Sequence, residues 1–551
     1  MMHARSGRRM GSFSVLLVLA AGTAVYANSL TGPFLFDDAD AIVRNPHIRR
    51  LWPLSAALAT PPSTTVTGRP LVQLSFALNY AMGGLDVIGY HAVNLLIHLG
   101  AALALYGIVR RSRWSDRARR PDAARASGLA TAAALLWVVH PLQTQSVTYL
   151  VHRAESLAGL CYLLTLYAVI RGAEPRAWRG WYPAAVLACA AGMACKGVMA
   201  TAPVAALLYD RVCVARSWKR LWARRWGLYA GLAMTWGLLG MLIHAAYPDA
   251  LSIMRSEQLS PVAYLRTQAG VILHYLRLSV WPEPLVFYYD WPVAAGWRAA
   301  AMPAAVLLGL VGASVTALTR WPGLGVAGLS FFLLLAPTSS LMPIATELAA
   351  ERRMYLPLAA VVTVIVVMVD VALRRLLRHR ARLRRLVAAG LLAAAVLCLG
   401  IATVHRNQDY RSEEAIWRDT ASKQPWNARA HRNLGAALAA QGRFAQAIPH
   451  YRQALRLAPG IATAHYNLGV ALARVGRPDE AEGHFREAVR IKPASAEAYN
   501  NLGAALAEQG KFDEAAAAFR EALRLNPDAE RARRNLADAM ARQAPHPEPS
   551  P

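Results

Sequence analysis

Acidic residues are scarce in this 551-residue chain: 33 Asp and Glu stand against 60 Lys and Arg, a formal net charge of +27. Cysteine is scarcer still, at five residues (Cys161, Cys189, Cys195, Cys213, Cys398), each in or beside an apolar segment and none in CxxC spacing. That pattern excludes a disulfide framework and a thiolate zinc site; no other ligand cluster is evident, so no metal is expected. With 55% apolar residues the chain lacks the polar surface of one soluble domain and should divide in two. The basic excess does not point to nucleic acid either. It falls in short runs between apolar stretches, as cytoplasmic loops do, and not on a continuous face.

What is present, first, is a series of apolar stretches long enough or nearly long enough to cross a bilayer. They lie near 12–30, 89–109, 128–148, 155–170, 226–246, 299–318, 322–341, 354–373 and 386–404, with two shorter ones near 181–195 and 197–209 around Lys196. Three basic runs fix the orientation by the positive-inside rule: Arg110, Arg111, Arg113, Arg117, Arg119 and Arg120; Arg211, Arg216, Lys219, Arg220, Arg224 and Arg225; and Arg374 to Arg385. About eleven spans satisfy them, provided that Tyr264 to Trp281, interrupted by Arg266, His274 and Arg277, lies in the interface as an amphipathic helix. The run from Phe13 to Ala27 after Arg5, Arg8 and Arg9 reads as an uncleaved anchor. Its N-terminus is then cytoplasmic, and the loop after it, the His140 to Glu155 turn, the Glu347 to Arg353 turn and everything beyond about Val404 lie outside.

Second, hydrophobicity falls after Arg406 and a 34-residue period begins: Gly435, Gly469, Gly503; Tyr451, Phe485, Phe519; Ala454, Ala488, Ala522; Pro459, Pro493, Pro527. This is the tetratricopeptide pattern, in which small residues let two helices approach, an aromatic fills the gap and Pro ends the second helix. Trp417 and Pro425 keep the phase upstream as half a repeat, and Asn535 with Leu536 keep it downstream in a capping helix. The expected domains are a membrane part over 1–406, a half-repeat linker over 407–427, repeats with their cap over 428–543, and a Pro-rich, disordered tail over 544–551. The fold class is all-α: a polytopic helical bundle followed by an α-solenoid.

Candidate chemistry sits in the outside turns. Asp37 and Asp38, in Phe34-Leu35-Phe36-Asp37-Asp38-Ala39-Asp40, follow the first span. A carboxylate there can take the proton from an acceptor hydroxyl as a general base, or the pair is a solvated acidic turn capping a helix. His140-Pro141 with Arg153-Ala154-Glu155, Lys196, and Glu351-Arg352-Arg353 with Tyr355-Leu356-Pro357 place ionisable groups at membrane depth, where they line a cavity, meet a ligand or pair with one another. Arg69, His91, Asn94 and His98 are further polar marks. Asn94 and His98, spaced i, i+4, share an inward helix face that suits an interhelix hydrogen bond better than a metal.

In this order the motifs Phe36-Asp37-Asp38, Gly68-Arg69-Pro70-Leu71, Tyr90-His91 with Asn94 and His98, His140-Pro141, Arg153-Ala154-Glu155 and Glu351-Arg352 with Tyr355-Leu356-Pro357 resemble the transmembrane and tetratricopeptide repeat-containing O-mannosyltransferases and their bacterial relatives. The resemblance runs over nearly the whole chain. It implies an inverting membrane glycosyltransferase of the GT-C type that takes a sugar, typically mannose, from a polyprenyl-phosphate donor. It implies Asp38 as base with Asp37 positioning it or the acceptor, and Arg153, Lys196 and Arg352 neutralising the leaving phosphate. Arg69, His91, His140, Glu155, Glu351 and Tyr355 would support them, with no cofactor. Two departures stand out: Gln145 where relatives often carry an acid, and Lys196-Gly197 where Lys is usually followed by Glu. The expected partners are a lipid-linked sugar, membrane lipid and a protein or peptide in the repeat groove. The Ala- and Arg-rich composition suggests a bacterial inner membrane with periplasmic repeats. The competing expectation is a non-enzymatic scaffold that only displays the repeats, and lipid or glycan acceptors would use the same chemistry as protein.

Overall fold

The computed structural model describes residues 2–61, 64–112, 114, 123–175, 177–247, 259–341 and 347–543, with side chains from residue 11. Arg113, Arg117, Arg119 and Arg120 of the first basic run, and the tail from Ala544, lie outside the described residues. The described chain is helical throughout and divides into two compact units, Met1–Ser412 and Glu413–Pro551.

The first unit holds α1 (Met2–Tyr26), α2 (Pro70–Gly83), α3 (Val87–Arg111), α4 (Ala123–Val138), α5 (Arg153–Gly172), α6 (Trp181–Met193), α7 (Ala202–Tyr209), α8 (Trp218–Ala246), α9 (Pro261–Leu278), α10 (Trp297–Arg320), α11 (Pro322–Ala336), α12 (Pro357–Leu376) and α13 (Ala381–Asp409). Among the described residues nine helical segments are long and apolar enough to cross a membrane, and ten if α4 and the bent turn Pro141–Val147 form one span. The expected eleven is reached when the short apolar helix α6 is counted with them. At 1.5 Å per residue, the 13 residues of α6 reach only about 20 Å, against a hydrocarbon core of about 30 Å. The two shorter stretches expected around Lys196 are helices separated at that residue, as the Cys195-Lys196-Gly197 break suggests.

Helix α3 packs on both α4 and α5, with α1 against α3 and α4, and α12 against α4. Small residues permit the close approaches. A Cβ at Gly159 of α5 would drive into the ring of Tyr355, so glycine there admits the tyrosine to the bundle. The pair Asn94 and His98 does face inward: Asn94 Nδ2 donates to the Val147 carbonyl (3.1 Å), and His98 lies between Tyr355 Oη (3.0 Å) and the Val138 carbonyl (3.1 Å). Interhelix hydrogen bonds account for both residues. Helix α9 takes up most of the Tyr264–Trp281 stretch, ending at Leu278, and buries the stripe Tyr264, Thr267, Val271, Tyr275 and Leu278, at the i, i+3, i+4 spacing of one helix face. That face packs on the segment before α12: Gln268 donates to the Leu348 carbonyl (2.9 Å) and the Ala350 N–H to Tyr275 Oη (2.7 Å).

The second unit stacks α14 (Glu413–Lys423), α15 (Ala428–Ala440), α16 (Phe444–Leu457), α17 (Ala462–Arg474), α18 (Pro478–Ile491), α19 (Ala496–Glu508), α20 (Phe512–Leu525) and α21 (Glu530–Gln543). The periodic positions explain the pairing. Cβ atoms at Gly435, Gly469 and Gly503 would come within 2.7, 2.8 and 2.6 Å of the rings of Tyr451, Phe485 and Phe519, so only glycine leaves room for the aromatic. The turns between paired helices bend through Gly442, Gly476 and Gly510, whose φ values of 75°, 76° and 78° suit glycine. The second helices end at Leu457, Ile491 and Leu525, two residues before Pro459, Pro493 and Pro527. Repeat-spaced ion pairs Arg452–Glu480 (2.9 Å) and Arg486–Glu514 (2.6 Å) link neighbours at the surface, each worth about 0–1 kcal/mol.

Candidate functional site

The acidic turn after α1 is tight. Phe36 adopts φ 44°, in the left-handed region that bulky residues rarely occupy, at a cost of about 1–3 kcal/mol. Asp38 holds the turn closed: its Oδ2 accepts from the Leu35 N–H (2.9 Å) and its own N–H donates to the Leu35 carbonyl (2.8 Å). Oδ1 accepts from the Val151 N–H (2.8 Å), so the carboxyl also caps the turn that leads into α5. With both oxygens engaged, Asp38 is 1% exposed. Burial pushes its carboxyl up to about 8; the two backbone donors and Arg153 oppose that shift, and Asp37 adds to it.

Asp37 turns the other way. Its side chain is exposed, and its backbone N–H donates to Tyr149 Oη (3.0 Å). The acid that faces water is therefore Asp37, whereas the resemblance implied Asp38 as base. Sequence alternation alone does not reveal this, because Val151, which fixes Asp38 inside, is 113 residues away.

A second group gathers from three distant segments. Lys196, at the α6 break, forms a close ion pair with Glu155 in the first turn of α5. Arg352, from the single turn Glu351–Met354, holds Glu347 with both terminal nitrogens and stands 3.8 Å from Glu155. Arg353 donates to the carbonyls of Leu348 (3.0 Å) and Glu347. Arg69, half-buried beside them, has no carboxylate partner among the described residues. Four cations thus face two carboxylates. Burial, with Arg69, Arg352 and Arg353 near, drives the Lys196 ammonium well below its usual range, while Glu347 opposes this. Burial also lowers Arg69, with Arg352 adding to the effect against Tyr247 and Cys195. Burial raises the Glu347 carboxyl, but Arg352, Arg353 and Lys196 together bring it below the ordinary range. Such a set is short of negative charge and suits a bound anion.

The acidic turn and the cationic group lie at one end of the bundle, joined through the segment before α5. Tyr149, bonded to Asp37, feels the charges of Asp37, Asp38 and Arg352; His152 feels Arg352, Lys196 and Arg69. Gln145 ties the parts together, donating to the Phe287 carbonyl (3.0 Å) and accepting from the Arg352 N–H (2.8 Å). At this end α13 also meets α1: Asn407 donates to the Val25 carbonyl and Asn28 Oδ1, each at 2.8 Å. Tyr149 and His152 were missed in the sequence. Their signal was a Tyr and a His within four residues at the mouth of a span.

Other expected site residues are engaged elsewhere. Arg153, expected at the donor phosphate, is 0% exposed and spends its donors on Asn94 Oδ1 (2.6 Å), Asn79 Oδ1 (2.6 Å), Ser75 (3.2 and 3.3 Å) and the Tyr90 carbonyl (2.9 Å). The ring of Phe76 lies 4.5 Å from its guanidinium carbon. It is a buried hub that joins α2, α3 and α5, and it does not stand with Lys196 and Arg352. Glu351 accepts from the Val286 N–H (2.6 Å) and Tyr289 Oη (3.1 Å) and approaches Arg406 at 3.6 Å, fixing the loop before α10. His140 bonds the Ser279 carbonyl (3.2 Å) and accepts from the Leu142 N–H (3.2 Å); His91 meets the Gly32 carbonyl (3.0 Å). Tyr355 sends its hydroxyl to His98 and takes Trp137 Nε1 (3.1 Å) on its carbonyl. Among the described residues no three His, Cys, Asp or Glu side chains gather as metal ligands would.

Residues 427–494 and 460–528 match one family described as Tetratricopeptide repeat, and residues 380–460 match a second of the same description. The chain is 28% identical over 496 residues to Protein O-mannosyl-transferase TMTC4 of Homo sapiens, covering 79% of this chain and 65% of that protein. It is also 28% identical over 504 residues to Protein O-mannosyl-transferase TMTC1 of Homo sapiens, covering 80% of this chain and 55% of that protein. The chain thus spans between 55% and 65% of the length of these two relatives. Among solved structures it is similar to MamA at 22% identity, over 24% of this chain and 71% of that one, with a TM-score of 0.23. Apolar helices ahead of its repeats and these homologues along four-fifths of its length support a likeness to the transmembrane and tetratricopeptide repeat-containing O-mannosyltransferases.

Proposed function

We propose that this chain is an inverting glycosyltransferase of the GT-C type that moves a sugar, mannose by kinship, from a polyprenyl-phosphate donor to an acceptor hydroxyl. The observation that carries this reading is an exposed carboxylate, Asp37, linked through Tyr149 to the end of the bundle that holds Arg69, Lys196, Arg352 and Arg353. In the reaction, the Asp37 carboxylate takes the acceptor's hydroxyl proton as that oxygen attacks the anomeric carbon from the face opposite the phosphate. The bond from the anomeric carbon to the phosphate oxygen breaks, and its electron pair leaves with the phosphate. Lys196, Arg352 and Arg69 stabilise the added charge, which buried donors do more strongly than water-exposed ones. Asp38 holds the loop that carries Asp37, and Arg153 holds α5, so both are positioning residues.

The site end is taken as the outer face of the membrane, because the basic runs cluster at the other end. The chain leaves α13 beside the site, so the repeats follow on that same outer face, the periplasm in a bacterium. A tetratricopeptide stack offers a concave groove for an extended protein segment, which would deliver the acceptor.

The test is transfer by the purified full chain in detergent, with radiolabelled mannosyl polyprenyl phosphate as donor and hydroxyl-bearing peptides as acceptors. Transfer in the native chain that falls at least about 100-fold in Lys196→Gln supports the reading. A native chain that leaves the donor untouched under all acceptors, while binding peptide through its repeats, would make it a scaffold.

A further inference from the structure

The opposite end of the bundle carries a feature that the transfer reaction does not use. The site lies at the N-terminal ends of α3 and α5; their C-terminal ends, about 30 Å away, surround a polar cavity of about 1380 Å³ including its mouth. Arg110 and Arg111 of α3 and Arg224 and Arg225 of α8 line it. Three nearby arginines share two carboxylates. Arg111 (3.0 Å) and Arg171 (3.5 Å) share Glu174, and Arg225 is in contact with Asp210, which also accepts from Tyr229 Oη (2.8 Å). Arg110 and Arg224 have no carboxylate partner among the described residues, so among these residues the cavity is short of negative charge.

An apolar cavity adjoins it. Ser112 and Tyr209, hydrogen-bonded to each other at 3.0 Å, line both. Beyond them an apolar cleft of about 710 Å³ runs between α3, α5, α11 and α12, past Leu166, Val326, Ala327 and Ala360. Its walls offer almost no hydrogen-bonding groups, so its occupant is a hydrocarbon chain, while the arginines at its mouth call for an anion. One molecule that meets both demands at a membrane surface is an anionic phospholipid.

We propose that this joined head and tail site binds an anionic phospholipid, its phosphate between Arg110 and Arg224 and one acyl chain in the apolar cleft. The lipid would sit in the leaflet away from the transferase site and fill the space between α3, α5, α11 and α12. The positive-inside rule explains basic residues at this end, but it does not explain an apolar cleft beside them.

Native mass spectrometry of the full chain, with dioleoyl phosphatidylglycerol or dioleoyl phosphatidylcholine added to the micelles, tests this. The native chain should retain phosphatidylglycerol in preference. Arg110→Gln with Arg224→Gln should weaken that retention about tenfold or more and leave phosphatidylcholine unchanged, which also reports that the fold survives. Ala327→Phe, which fills the cleft, should weaken the dioleoyl lipid but not dihexanoyl phosphatidylglycerol. Equal retention in the double variant would overturn the proposal, as would loss of both lipids in parallel. Displacement of the lipid from the native chain by inorganic phosphate would also overturn it, marking a soluble-anion site.

Discussion

Replacing Asp38 by Asn should damage stability and not chemistry. Both carboxyl oxygens accept backbone N–H groups, from Leu35 at 2.9 Å and from Val151 at 2.8 Å, in a site 1% exposed. A carboxyl, ionised or protonated, accepts at both oxygens. Asn offers one oxygen, and its amide N–H₂ would face the second N–H, donor against donor. A buried donor left unsatisfied costs about 1–3 kcal/mol, so Asp38→Asn should be destabilised by that amount. The sign of its pH dependence follows from the shift. A carboxyl raised from 3.8 to about 8 on folding contributes stability fully below about 4, lost as pH rises through about 8. The gap between native and variant should therefore be widest in acid and narrow toward pH 8. Thermal unfolding of the purified full chain in detergent across that range measures it. A variant as stable as the native chain throughout, or a gap that grows with pH, would refute the reasoning.

Three further outcomes follow from named contacts. Arg153→Lys should destabilise the bundle by about 3–5 kcal/mol, because one ammonium cannot meet Asn94, Asn79, Ser75 and the Tyr90 carbonyl together; unfolding midpoints check this. Donor affinity should weaken as pH rises through the lowered Lys196 range, since the neutral amine no longer attracts a phosphate, and that limb should vanish in Lys196→Met when donor binding is titrated against pH. Gly469→Val should overpack Phe485 and lower the stability of the repeat unit by about 1–3 kcal/mol, read as the urea midpoint of the 413–551 transition.

Where periodicity carries the information, the sequence was readable. The 34-residue period located the repeats because each glycine needs its facing aromatic, a local rule repeated three times. The apolar stretches located the apolar helices, of which α6 is short for a bilayer. The site was legible in its members and not in their roles. Arg153 and Arg352 look alike on paper, each beside an acid at the mouth of a span. What separates them is partners 59 to 78 residues away, which saturate Arg153 and leave Arg352 beside Lys196. Asp37 and Asp38 are adjacent, and only the Val151 amide decides which one is buried. Gln145, which stood out as a departure, is the residue that joins the Arg352 turn to the segment before α5.

The most direct measurement is mannosyl transfer by Asp37→Asn and Asp38→Asn, each compared with the native chain at matched folded fraction. The account predicts that Asp37→Asn unfolds normally, binds donor, and loses transfer by a factor on the order of 100 to 10,000, while Asp38→Asn keeps most of its turnover per folded molecule. Full turnover in a folded Asp37→Asn protein would contradict it.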